Sequence, residues 1–227
     1  MTSDAKPIAP VSRRRLLAGG AFTLAIAGAL ALPTRQMAKA AETDAVGRVS
    51  GLINKAVAMQ DALPRILKEG DPILEGDVLS TGTGSRLEVA MNDGGKVQLG
   101  EKAIFVVVEY VYGATNENNA VMRMLQGAFQ YTSGNIAKVA ENNVRIETDV
   151  ATIGIRGTTV WGGALDNLFE VALIDGKAIE VTTKGGSVLL NKVGDGTKLP
   201  SADQAPGEPS SWPADKLRRA AAMTSLK

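Results

Sequence analysis

From Gly70 onward the chain is broken at short intervals by residue pairs that reverse a backbone: Gly70-Asp71, Gly76-Asp77, Thr81-Gly82, Asn92-Asp93-Gly94-Gly95 and Asp175-Gly176. Glycine tolerates positive φ, and Asp, Asn and Thr side chains accept nearby backbone N–H groups. Between Gly70, Gly76 and Gly82 there is no room for a helix of ordinary length. The intervening residues alternate as half-buried strands do. Leu87, Val89 and Met91 alternate with Glu88 and Ala90, and Val97 and Leu99 resume the pattern after Asn92–Gly95, which predicts a hairpin. Ile104 to Val111 is β-branched and aromatic, the composition of a strand buried on both faces. Val121 to Tyr131 has helical spacing at Met122, Met124 and Leu125, but Gly127, Phe129 and Tyr131 favour strand. Phe169–Ile174 and Lys177–Val181 flank Asp175-Gly176, the preferred two-residue type I′ turn, and predict a second hairpin. The expected fold class is all-β: a single domain of short strands over residues 46–199, wound as a β-solenoid-like roll or sandwich. Pro200, Pro206, Pro209 and Pro213 mark 200–227 as a Pro-rich linker or tail, open to proteases, in which Trp212 to Met223 can form one short C-terminal helix.

Residues 1–40 read as an address. Ser12-Arg13-Arg14-Arg15-Leu16-Leu17 opens an apolar stretch that ends at Leu32, and Pro33 and the small-x-small site Ala38-Lys39-Ala40 follow. Basic region, apolar region and cleavage site stand in the order of a secretory signal. Arg13 and Arg14 followed by Leu16 and Leu17 resemble the bacterial twin-arginine signal. The apolar stretch is short for a membrane span and weakened by glycine and alanine, so cleavage is expected over retention as an anchor. Cleavage after Ala40 leaves no membrane span. The expected location is the periplasm or the medium.

Composition narrows the chemistry. The chain has no Cys and no His. Disulfides, thiolate zinc sites, iron–sulfur clusters and Ser-His-Asp triads are excluded, and no cofactor or metal is expected. Beyond residue 40 there are 19 basic and 23 acidic residues, a balance that offers nucleic acid no basic stripe. Asp71, Asp77 and Asp93 lack the spacing of a calcium loop. Glu75 and Asp77 are expected in a solvated turn. Gly82-Thr83-Gly84-Ser85 lacks the Gly-Lys-Ser/Thr that completes a phosphate loop.

The stretch Glu69 to Leu99 contains, in order, a Gly-Asp turn, the strand Val78-Leu79-Ser80, the Thr81-Gly82 turn, a second strand and the Asp93-Gly94 hairpin. This resembles the FecR domain. Ala151-Thr152-Ile153-Gly154-Ile155-Arg156-Gly157-Thr158 is similar to that family's downstream Arg-Gly-Thr segment, and Val171 to Val181 to the hairpin after it. The resemblance covers residues 46 to 198. Known FecR proteins are transmembrane regulators, in which an anti-sigma segment precedes one membrane span and a periplasmic domain hears an outer-membrane iron-siderophore transporter. The resemblance implies a non-enzymatic sensing or scaffold module. The few residues ahead of Ser12 leave no space for an anti-sigma segment, so a free-standing periplasmic domain is expected, its partner a periplasmic protein or envelope polymer. The alternative is an enzyme acting on envelope polysaccharide through carboxylates.

Arg156, Gly157, Thr158 and Trp161 are the candidate structural or partner-contact residues. Arg156 lies between Gly154 and Gly157, where backbones can approach and its donors can bind carbonyls. The competing role is capture of an anionic ligand or partner carboxylate. Trp161 is expected in the core, and Trp212 over an open end of the β structure. Replacing Arg13 and Arg14 together by lysine should leave the precursor in the cytoplasm; cell fractionation reads this, and normal export of the double variant would refute the twin-arginine assignment.

Overall fold

The computed structural model describes residues 45–113, 118–139 and 143–227. Arg13, Arg14, Leu16, Leu17, Ala38 and Ala40 lie outside the described residues. No helix among the described residues is long and apolar enough to cross a membrane.

The described chain is mostly strand, in one sheet that curls into a half-barrel. In chain order the strands are β1 (Ala45–Ile53), β2 (Ala56–Gln60), β3 (Leu63–Ile66), β4 (Pro72–Leu74), β5 (Val78–Thr81), β6 (Arg86–Met91), β7 (Lys96–Leu99) and β8 (Ile104–Val111). They continue as β9 (Asn119–Gln126), β10 (Phe129–Thr132), β11 (Val144–Thr148), β12 (Thr152–Ala164), β13 (Phe169–Thr183), β14 (Gly186–Leu190), β15 (Asp195–Leu199) and β16 (Ser210–Ser211). The helices are α1 (Ile136–Val139) and α2 (Ala214–Thr224). The Asn92–Gly95 hairpin joins β6 to β7, and Gly127 separates β9 from β10 as the sequence suggests.

An antiparallel ribbon of β12 and β13 organises the sheet. One edge of β12 is shared: β11 pairs with Thr152–Ile155, and β10 pairs with Thr159–Gly162. Two wings leave from these points. The first runs β11-β9-β8-β5-β2-β3, the second β10-β7-β6-β1-β4. On the far edge of the ribbon, β14 and β15 divide β13 between them. Both wings feed one apolar core, with Leu79, Phe105 and Met122 from the first and Leu87, Leu99 and Phe129 from the second. Ile153 and Val160 of the ribbon complete it.

The structure corrects two strand-level expectations. Asp175-Gly176 makes no hairpin turn. It lies inside β13, which runs 15 residues without reversing. Asp175 pairs with Thr159 and Gly176 with Thr158, and a bulge follows between Thr159 and Val160. Gly176 has φ +99°, and Gly157, next to Thr158 on the facing strand, has φ +68°. Positive φ on both strands bends the ribbon where a turn would have ended it. Second, β8 is buried on one face only: Phe105, Val107 and Tyr110 point inward while Val108 and Glu109 are exposed. An antiparallel sheet can leave one face solvated, and the register shift between Val107 and Glu109 returns Tyr110 to the core.

The tail packs on the sheet. Trp212 meets Trp161 edge-on, with ring centroids 5.8 Å apart, and Ala128, Ala172 and Ala220 fill the space around them. A side chain on Gly196 would collide with the Trp212 indole, so the glycine seats that ring. Lys216 lies over the Trp212 face and pairs with Glu170, Arg219 pairs with Asp166 at 2.5 Å, and Leu226 rests against Gly51 of β1.

A Cβ on Gly176 would lie 2.4 Å from the Gly157 carbonyl oxygen and 2.7 Å from Thr158 Cα. Gly176→Ala therefore adds a backbone clash to an unfavourable φ. It should cost about 2 kcal/mol or more and lower the melting midpoint by roughly 4–8 °C. Thermal unfolding followed by circular dichroism checks this.

Candidate functional site

The ribbon bend opens a cleft of about 560 Å³ between α1 and the middle of β12 and β13. Its charged lining is Lys138 from α1, Arg156 from β12, and Asp175 and Lys177 from β13. Thr132, Ser133, Thr158 and Thr159 add hydroxyl groups. The wall is fixed by backbone and side-chain bonds: Ser133 N–H donates to the Thr158 carbonyl at 3.0 Å, and the Thr132 and Thr159 hydroxyls meet at 3.1 Å. Arg156 Nη2 reaches Glu180 Oε2 across the ribbon at 3.4 Å. Lys138 Nζ donates to Asn135 Oδ1 at 3.1 Å.

Of the candidates read from sequence, Arg156, Gly157 and Thr158 line this cleft together. Thr158 is buried, and its Oγ1 has no hydrogen-bond partner. Trp161 does not join them; it is fully buried under the tail. Lys138 and Lys177 escaped the sequence reading. Lys177 would have drawn notice had Asp175-Gly176 been seen as a bulge, because a bulge re-aims the residue after it. Nothing local in the sequence points to Lys138.

The buried carboxylates serve the frame. Asp77, expected in a solvated turn, is fully buried. Arg65 Nη2 contacts its two oxygens at 2.7 and 2.5 Å, and Leu74 N–H donates to Oδ2 at 2.8 Å. Burying a carboxylate is costly unless such partners stand beside it. Asp93 is also buried. It accepts from Gly95 N–H at 2.9 Å and Ile136 N–H at 3.2 Å, tying the β6–β7 hairpin to α1. Burial, with the Asp93 charge second, pushes the Tyr110 and Tyr131 phenols far above their ordinary range, so both stay protonated. Glu170 is fully buried and held by Lys216. Among the described residues no group of His, Cys, Asp and Glu is placed to hold a metal ion.

The family profile described as "FecR protein" matches residues 77–191. No curated protein is significantly similar to the chain. Among solved structures, two crystal structures of a proposed anti-sigma factor from Parabacteroides distasonis ATCC 8503, at 1.65 and 2.50 Å, resemble it with a TM-score of 0.48 and 16% identity. The alignment covers 62% of this chain and 62% of that one.

Arg65→Ala strands the Asp77 carboxylate. Because Arg65 is itself about one-third exposed, water can reach part of the gap. The loss should be about 2–3 kcal/mol, below the full cost of orphaning a sealed charge. Arg65→Lys should recover only part, since one ammonium cannot replace both the Nη2 contacts to Asp77 and the Nη1 donation to the Pro72 carbonyl at 3.2 Å. Urea unfolding of the two variants beside wild type measures both.

Proposed function

Because the chain belongs to the FecR protein family, we propose that it is a sensing and regulatory module, exported by its twin-arginine signal and working in the periplasm through contact with another protein. The observation that supports contact is the outer face of the first wing. Register places Pro64, Met59, Val78 and Val106 side by side across β3, β2, β5 and β8. The next row is Ile66, Val57, Ser80 and Ile104. Core residues such as Ala58, Leu79 and Phe105 occupy the opposite face. Seven of these eight outward positions are apolar, with Ile66 73% and Met59 43% exposed. Single exposed apolar residues are ordinary, but a continuous outward stripe over four strands is a surface suited to a partner.

The competing carboxylate enzyme draws less support. Asp77, Asp93 and Glu170 are each occupied by structural partners, in three separate parts of the fold. Among the described residues the cleft is lined by one carboxylate, Asp175, and three cations. General acid–base hydrolysis of a glycoside calls for two carboxyl groups facing one groove.

Met59→Glu and Ile66→Glu change exposed positions, so each should leave stability within about 0.5 kcal/mol. A photo-crosslinking residue at position 59 should give a discrete protein adduct in intact cells. The adduct should fall in the periplasmic fraction and disappear when Ile66→Glu is added. A crosslinker that yields no adduct, or an adduct indifferent to Ile66→Glu, would refute contact through this face.

A further inference from the structure

The cleft at the ribbon bend lies apart from the apolar stripe and has different chemistry. We propose that it is a binding site for a small oxyanion, with Lys138, Arg156, Lys177 and the Thr158 hydroxyl as its contacts and a phosphate or carboxylate group as the chemistry recognised. The inference deepens the sensing reading by naming what is sensed, and it does not depend on contact through the stripe.

Beyond residue 40 the chain has an excess of four acidic residues. The cleft runs against that sign: among the described residues its lining has three cations and one carboxylate, with Arg156 also paired to Glu180. Like charges drawn into one concavity repel, and an anion between them removes that cost while concave low-dielectric walls concentrate the field. The cations come from three different elements, α1, β12 and β13, so the fold and not local sequence gathers them.

Thr158 is 3% exposed and its Oγ1 has no partner. A buried hydroxyl without a partner is costly, and an acceptor that reaches it recovers the loss. Beside it, a Cβ built on Gly157 would have nothing within 4 Å, so the missing side chain leaves open space on the cleft floor. Arg156, anchored to Glu180 through Nη2, brings a planar guanidinium suited to two oxygens of one anion, while the two ammonium groups act as point charges.

Size and lining set the class of ligand. A volume of about 560 Å³ suits a small molecule. Among the described residues no aromatic ring and no large aliphatic side chain lines it, so they offer neither a stacked ring nor an apolar peptide a platform. Phosphate and carboxylate share the chemistry the site offers.

The test is calorimetric titration of the chain with inorganic phosphate and, separately, with malonate at low ionic strength. Saturable binding of at least one anion is expected. Phosphate alone assigns a phosphoryl ligand, malonate alone a carboxylate. Lys138→Glu combined with Lys177→Glu, both at exposed positions, should weaken binding about tenfold or more without lowering the melting point of the free protein. Thr158→Val, which removes the unpartnered hydroxyl, should melt no lower than wild type and bind more weakly. Failure of both anions to saturate, or a binding constant indifferent to either change, overturns the site. Met59→Glu with Ile66→Glu should bind the anion as wild type does. Loss of the crosslink with anion binding intact would therefore count against the stripe and leave the cleft standing.

Discussion

The architecture depends on the hydrogen-bonded ribbon of β12 and β13 and on its bend at Gly157 and Gly176. A straight ribbon would offer β12 one continuous edge to one continuous sheet. The bend divides that edge, so β11 and β10 pair with different halves and the wings leave in two directions. Ile153 and Val160 lie on either side of the bend and both reach the common core. The paired positive φ values place the bend on both strands at once, and the carbonyl of Gly157 then occupies the space a side chain at Gly176 would need. The cleft is the outer consequence of the same geometry. Its basic residues are neighbours because the backbone turns there.

Around this frame, charge is sequestered at the margins of the apolar core. Asp77 with Arg65 fastens the far strands of the first wing, Asp93 fastens the hairpin to α1, and Glu170 with Lys216 fastens the tail. Each carboxylate joins segments distant in sequence. Each also resists replacement one partner at a time, because a lone buried charge is far more costly than a pair. The tail combines such a pair with the Trp161–Trp212 contact. Its helix is largely solvent-facing, with only Ala220 and Thr224 buried, so these anchors and Leu226 hold it more than an apolar helical face does.

The all-β class and most strand positions were legible because turn chemistry and two-residue alternation are local signals. The Asn92–Gly95 hairpin and the inward face of Leu87, Val89 and Met91 follow from them directly. Asp175-Gly176 shows where local signals mislead. The same dipeptide serves a reversal or a bulge, and the choice belongs to the strand opposite, where Gly157 offers a matching bend. Asp77 shows the other limit: its burial depends on Arg65, twelve residues earlier and brought alongside only by strand pairing. At the candidate site Arg156, Gly157 and Thr158 could be singled out from their motif. Lys138 and Lys177 join them only through tertiary placement.

The order in which the strands alternate between wings has a consequence for how the chain acquires its fold. β1 belongs to the second wing, β2 and β3 to the first, β4 to the second and β5 to the first, and the shuttling continues through β11. Hairpins such as β2–β3, β6–β7 and β8–β9 pair locally, but the pairings that link them, β1–β6, β5–β8, β7–β10 and β10–β12, join strands apart in the chain, and contacts between distant residues delay folding because long loops must close before pairing offsets their entropy. The piece that unites the wings is among the last to be made. A nascent chain that has emerged only as far as residue 150 carries eleven strands and has no β12 edge on which to assemble β10 beside β11. Commitment to the native topology therefore waits for the ribbon, and the early strands spend synthesis with open edges that a holding chaperone could cover.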